Sequence, residues 1–253
     1  MPQHVVFIGN GISAVTAARF IRKMSDARIT LISDETDHFF ARTALMYVYM
    51  GHLRYRDTKP YEDDFWPKNR IDLVRGFVEE IDTDRKTLRL RPGANAVART
   101  NGAASGRPGE IAYDVLVVAT GSKPNRFGWP GQDLDGVQGL YGMPDVERME
   151  AATWGVRRAV VVGGGLIGVE MAEMLHSRHV PVTFLVRERA YMDYLLPPEE
   201  AELVRREIAE HHVDLRLGTE LRTILPGPGG RVGAVVTSAG DEVACQFVGL
   251  TAG

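Results

Sequence analysis

One local pattern occurs twice in this chain and constrains its fold more than anything else. Val5-Val6-Phe7-Ile8 is a short, continuously apolar run, as a strand buried on both faces shows. Gly9-Asn10-Gly11 follows, and Ile12 to Met24 then carries Ile12, Val15, Ala18 and Ile21 or Arg22 at helical spacing. Arg28-Ile29-Thr30-Leu31-Ile32 is again β-branched and apolar. Strand, glycine turn, helix and strand in so few residues make a βαβ unit. The second copy has Arg158-Ala159-Val160-Val161-Val162 as strand and Gly163-Gly164-Gly165 as turn. Leu166 to Arg178 is its helix, with Ile167, Met171, Met174 and Leu175 on one face, and Val182 to Val186 is its second strand. Gly163 stands 154 residues after Gly9, so the duplication points to two nucleotide-binding domains more than to one large sheet.

Each glycine turn has a physical reading. In Gly9-x-Gly11-x-x-Ala14, Gly9 permits the tight turn and Gly11, lacking Cβ, lets a pyrophosphate approach the backbone. Ala14 is small enough for close helix–strand packing, and the helix N-terminus offers free N–H groups to phosphates. Asp34 and Glu35 stand just past the second strand, where an acid would hold ribose hydroxyls. Gly163-x-Gly165-x-x-Gly168 is the fuller version, with Glu170 two residues on. At the ribose position of this second unit stands Arg187, followed by Glu188 and Arg189. A guanidinium suits a 2′-phosphate and so leans toward NADPH, whereas Glu188 could take the ribose of NADH.

Between the two units the pattern changes. Residues 72–74, 78–81 and 87–90 read as short strands of an antiparallel meander, and 92–110 as a small, polar, glycine-rich mobile loop. Val115-Leu116-Val117-Val118-Ala119 reads as another buried strand, and residues 124–142 as a Gly- and Pro-rich crossover. Later, Glu199 to His211 reads as a helix with Leu203, Ile208 and Ala209 inward. The segments 213–217, 221–225, 231–237 and 243–249 read as alternating strands.

Composition narrows the function classes. The net charge of −3 offers no basic excess for nucleic acid or an anionic membrane, and no stretch approaches a membrane span. The start of the chain lacks the marks of a signal peptide, so a cytoplasmic location is the expectation. A single cysteine, Cys245, excludes an internal disulfide, a redox dithiol or a multi-cysteine metal site within the chain, and its alternating strand reads as core. His211-His212 ends a helix with no other ligands at metal-binding spacing.

Four motifs in order resemble the pyridine nucleotide–disulfide oxidoreductase superfamily of FAD enzymes. They are the two glycine turns, Gly76-x-Val78-x-x-Ile81-Asp82 with Lys86-x-Leu88, and Tyr113-Asp114-x-Leu116-Val117-Val118-Ala119-Thr120-Gly121-Ser122-x-Pro124. The resemblance implies an α/β fold of two Rossmann-like, three-layer nucleotide-binding domains with an antiparallel β-meander in each. The first, 1–145, would bind FAD, and the second, 146–253, NAD(P)H. Gly9, Gly11, Ile12, Ala14, Asp34, Glu35, Val78, Thr120 and Gly121 would line FAD. Gly163, Gly165, Ile167, Gly168, Glu170 and Arg187 would line the nicotinamide dinucleotide.

The segment His38 to Tyr47, where disulfide reductases of this superfamily carry their redox cysteines, has none. Phe40-x-Arg42-x-x-Leu45 looks instead like the segment of ferredoxin-reductase- and nitrite-reductase-like members in which the arginine contacts FAD phosphates. His38-x-Phe40 with Leu45 and Gly51-x-Leu53 also resembles quinone-reducing NADH dehydrogenases. The implied activity is hydride transfer from NAD(P)H to flavin and on to an acceptor, open between a redox protein, a quinone and an attached domain. The alternative is a regulatory or interaction module that binds FAD or NAD without turnover; a one-cofactor NAD-dependent dehydrogenase would leave the first turn unexplained. In the family, a closing Gly-Asp strand and an interface domain that often dimerises follow the point where this chain stops. The expectation is therefore a piece of a longer protein with its FAD site unfinished.

Overall fold

A computed structural model of the chain describes residues 2–93, 95–98 and 109–252. It divides into two compact units, one made of Met1–Arg42 and Tyr55–Ser122, the other of Thr43–Arg54 and Lys123–Gly253. The units part at Ser122, earlier than the 145/146 boundary expected, and residues 43–54 join the second.

The first unit opens with β1 (His4–Ile8), α1 (Ile12–Met24) and β2 (Arg28–Ser33). The chain then passes through α2 (Leu45–Tyr49), which belongs to the second unit, and α3 (Phe65–Lys68) before β3 (Ile71–Arg75). There follow β4 (Val78–Asp82), β5 (Thr87–Leu90), β6 (Asn95–Ala98), β7 (Glu110–Ala112) and β8 (Val115–Val118). The main sheet has the order β6-β3-β2-β1-β8, parallel except for β6. A smaller antiparallel sheet has the order β4-β5-β7.

Three layers result. Ala14, Val15 and Ala18 of α1 pack with Phe39 and Trp66 against Val5, Phe7, Ile29, Leu31, Ile71 and Leu73 on one face of the main sheet. Leu88, Leu90 and Tyr113 cover Val6 and Ile32 on the other face. Each such large aliphatic side chain contributes about 1.5–3 kcal/mol when fully buried.

Several expectations need correcting here. Residues 72–74 are not meander; they run parallel to β2, with Thr30 opposite Asp72. Asp72 is buried in that strand and carries Arg28 Nε at 3.4 Å. β8 is a sheet edge rather than a buried strand, with Val115 and Val118 exposed. Ile12 points to solvent from the first turn of α1. Residues 95–98, expected in a loop, form a strand on β3, while most of that expected loop (94 and 99–108) lies outside the described residues.

The second unit repeats the plan. β9 (Val137–Gln138) and α4 (Met143–Thr153) lead into β10 (Ala159–Val162), α5 (Leu166–Ser177), β11 (Val182–Leu185), α6 (Pro198–Glu210) and β12 (Asp214–Arg216). β13 (Leu221–Pro226), β14 (Val232–Thr237) and β15 (Glu242–Ala244) precede β16 (Phe247–Leu250). The parallel sheet has the order β12-β11-β10-β16-β9, and β13-β14-β15 form an antiparallel sheet. The core between them includes Val160, Val162, Leu185, Ile224, Val235, Cys245 and Val248.

The segment 213–217 therefore supplies a parallel strand, and 243–249 splits between two sheets. Leu203 and Ala209 face solvent; Ala201 and Ile208 are the residues α6 turns inward. Ile167 is also partly exposed, at 41%, at the start of α5.

Candidate functional site

The first glycine turn lies at the carboxyl end of β1, flanked by β2 and β8, the end of a parallel sheet where ligands bind in open α/β folds. Gly9 has φ +115°, and a Cβ there would lie 2.1 Å from the Ala119 carbonyl oxygen, so no other residue fits. Its N–H donates to the Ile32 carbonyl at 2.7 Å, and the Ala119 N–H donates to the Ile8 carbonyl at 2.8 Å. Gly11 has φ −75°, which any residue adopts, so backbone strain does not explain it. What it supplies is room: a Cβ there would meet nothing within 4 Å.

Gly11 caps α1 without a side-chain bond, and the first turn holds no acidic residue. The helix ladder starts with the Val15 N–H on the Gly11 carbonyl, so the amides of Ile12, Ser13 and Ala14 precede it. Open space, donor N–H groups and a positive helix end fit a pyrophosphate. Ala14 is buried against the sheet.

Asp34 is exposed just past β2, and Glu35 is half-buried. The Arg42 guanidinium donates to Glu35 through Nη1 at 3.0 Å and Nη2 at 2.7 Å, and sits 5.0 Å from the Phe40 ring centroid. Val78 opens β4, and the turn into it leaves from the same sheet end, since the Gly76 N–H donates to the Ser33 carbonyl at 2.9 Å. Thr120 and Gly121 follow β8, exposed, with Gly121 at φ +73°.

The second turn is built alike. Gly163 also has φ +115°, and its N–H donates to the Leu185 carbonyl at 3.0 Å. A Cβ on it would lie 2.5 Å from the Ala252 nitrogen. Gly165 caps α5 and, like Gly11, faces open space. Gly168 differs from Ala14, because a Cβ there would lie 2.0 Å from the Gly163 carbonyl oxygen and 3.0 Å from both the Phe184 ring and Thr251 Oγ1. Glu170 lies two residues further along α5; burial, with Glu173 nearby, raises its carboxyl above its ordinary value. Arg187 is exposed past β11 and donates to Glu188 Oε1 at 2.9 Å.

Two groups of residues escaped sequence reasoning. Asn10, between the glycines, is buried, and its amide donates to the Thr36 carbonyl at 3.1 Å. Thr251 and Ala252 back the second turn as Ala119 and Thr120 back the first: the Thr251 hydroxyl donates to the Val162 carbonyl at 2.9 Å. The register repeats too, with Ile8 opposite Val118 and Val162 opposite Leu250. The available signal was the likeness of Val118-Ala119-Thr120-Gly121 to Leu250-Thr251-Ala252-Gly253. Among the described residues no helix is long and apolar enough to cross a membrane, and no three His, Cys, Asp or Glu side chains are grouped to hold a metal.

The family model for pyridine nucleotide-disulphide oxidoreductases matches residues 3–253. The ferredoxin reductase component of chlorobenzene dioxygenase from Cupriavidus sp. (strain PS12) is 29% identical over 221 residues, covering 87% of this chain and 50% of that protein. Rubredoxin-NAD(+) reductase from Pseudomonas putida is 26% identical over 247 residues, covering 96% of this chain and 60% of that protein. The chain thus spans about half the length of the curated relatives it matches. Among solved structures, an NAD-dependent persulfide reductase from A. fulgidus superposes with a TM-score of 0.84 at 27% identity, covering 99% of this chain and 46% of that one.

Proposed function

The chain belongs to the pyridine nucleotide-disulphide oxidoreductase family, and from that premise we propose that it is the dinucleotide-binding portion of an FAD-dependent oxidoreductase. Hydride enters from NAD(P)H and the electrons leave to a separate acceptor. The observation that carries this reading is the pair of glycine turns, each with a φ of +115° at its first glycine and open space at its second.

FAD belongs to the first turn, within 1–145. The amides from Gly11 to Ala14 face its pyrophosphate, with Ile12 beside them; Asp34 and Glu35 take the ribose; Arg42 adds a cation; and Val78, Thr120 and Gly121 border the rest. NAD(P)H belongs to the second turn, within 146–253, on Gly163, Gly165, Ile167 and Gly168, with Glu170 two residues on. Arg187 and Glu188 face the ribose, where a guanidinium suits the 2′-phosphate of NADPH and a carboxylate suits the diol of NADH. When bound, flavin takes the two electrons of a hydride and returns them singly or as a pair.

What this chain's own residues do is bind and orient. No side-chain acid or base is needed for hydride transfer, and Cys245, the one cysteine, is sealed in the core. The relatives' ferredoxin and rubredoxin partners favour a small redox protein as acceptor.

The test is an absorption spectrum of the purified chain after incubation with FAD, before and after NADPH or NADH. A retained yellow band that bleaches supports the reading; no FAD uptake on reconstitution overturns it. Steady NAD(P)H oxidation with an artificial acceptor separates an oxidoreductase from a binding module, and relative rates with the two donors settle the preference.

A further inference from the structure

We propose that Asn10 is a positioning residue that ties the phosphate turn to the ribose-acid loop and thereby favours ligands carrying both a pyrophosphate and a ribose. This rests on the dinucleotide reading of the first turn. Asn10 occupies the position between two glycines, where the turn itself asks nothing of the side chain. A polar side chain there can face water, yet Asn10 is only 7% exposed.

Its buried amide is spent on one element. Nδ2 donates to the Thr36 carbonyl at 3.1 Å and approaches Thr36 Oγ1 at 3.4 Å. Thr36 is buried in turn; its hydroxyl donates to the His38 carbonyl at 2.9 Å, and the Tyr55 phenol hydrogen-bonds to it. Thr36 immediately follows Asp34 and Glu35. On the far side of the same loop, the Glu35 N–H donates to Ser33 Oγ at 3.2 Å.

The glycine turn is held from below by the Gly9 N–H on Ile32. Asn10 holds it sideways to residues 26 positions along the chain. A ligand that must reach both the turn and the acids then binds to a preset spacing, without ordering the loop on arrival.

The experiment is calorimetric titration of ADP, the half-molecule carrying both groups, into wild type, Asn10→Ala, Glu35→Gln and the double variant, with FAD titrated in parallel. Losing the buried amide link is expected to weaken ADP about tenfold. The further cost of Glu35→Gln should be smaller in the Asn10→Ala background than alone, because an acid on a loosened loop contributes less. Thr36→Val keeps the carbonyl acceptor and should weaken ADP only about two- to threefold. If Asn10→Ala does not fold, the same cycle is run with Thr36→Val. Unchanged ADP affinity, or the same Glu35→Gln cost in both backgrounds, overturns the proposal while leaving the dinucleotide reading intact. Wild type that takes up neither ADP nor FAD overturns the dinucleotide reading, and the positioning role falls with it.

Discussion

Arg42 closes a two-pronged ion pair on Glu35, with both guanidinium nitrogens on the two carboxylate oxygens at 3.0 and 2.7 Å. A fork preset for one oxyanion pair suits a phosphate in the same geometry, which a point-charge ammonium does not reproduce. Arg42→Ala should therefore weaken FAD by about ten- to a hundredfold, the cost of a charge-assisted hydrogen bond or two. Arg42→Lys should recover only part of it. Titrating FAD by the quenching of its fluorescence checks both, and a lysine variant with wild-type affinity would remove the bidentate argument.

Gly165 and Gly168 should respond oppositely to the same change. Gly165→Ala meets no atom within 4 Å, so the melting temperature should hold while the KM for NAD(P)H rises at least about tenfold, the methyl occupying the pyrophosphate's approach. Gly168→Ala drives a methyl to 2.0 Å from the Gly163 carbonyl and should cost about 1–3 kcal/mol of stability. Thermal melts and donor kinetics on the two variants separate space kept for a ligand from space kept for packing.

Cys245 should be chemically silent in the folded protein. Burial pushes its thiol up to about 12, the nearby Arg158 charge only partly opposing, and the residue is fully enclosed. A disulfide reagent at pH 8 should label nothing in native protein and one thiol after denaturation; rapid native labelling would contradict the packing of the second unit.

Stability should fall on mild acidification, partly through His4. Burial, and then the Arg28 charge, hold its imidazole below the ordinary value, with Asp72 and Asp114 opposing. The folded state thus binds this proton less readily than the unfolded chain. The contribution is complete above an ordinary imidazole pKa of about 6.5 and is lost as pH drops through the window below it. His4→Gln should flatten the urea-melt stability profile between about pH 7 and 5, by at most about 1.4 kcal/mol per pH unit. An unchanged slope would assign the acid sensitivity elsewhere.

Much of the fold was legible because its signals are local. The bounds read for the first helix, Ile12 to Met24, are those of α1, and both glycine turns sit between the strand and helix their sequences announce. Misreadings arose where partners are distant in sequence. Residues 72–74 read as meander because their parallel partner, β2, lies far back along the chain. Residues 243–249 alternate smoothly, yet Cys245 and Gln246 carry the chain from one sheet to another. Ile12 and Leu203 keep helical spacing but face outward, since periodicity counts apolar positions without knowing what lies opposite. At the site, the positions of the glycines and acids were readable, whereas the Arg42–Glu35 pairing and the burial of Asn10 were not.

The amino-acid sequence alone determined that this chain would contain two strand–glycine–helix turns. That follows from short-range rules: apolar runs bury, helical stripes pack, and some turns admit only glycine. Only the tertiary structure decided what stands behind those turns. β8 and β16 arrive from more than eighty residues away and set Ala119 against Gly9 and Ala252 against Gly163. Parallel pairing across such distances is chosen by whole faces of side chains packing together, a property no local stretch of sequence carries.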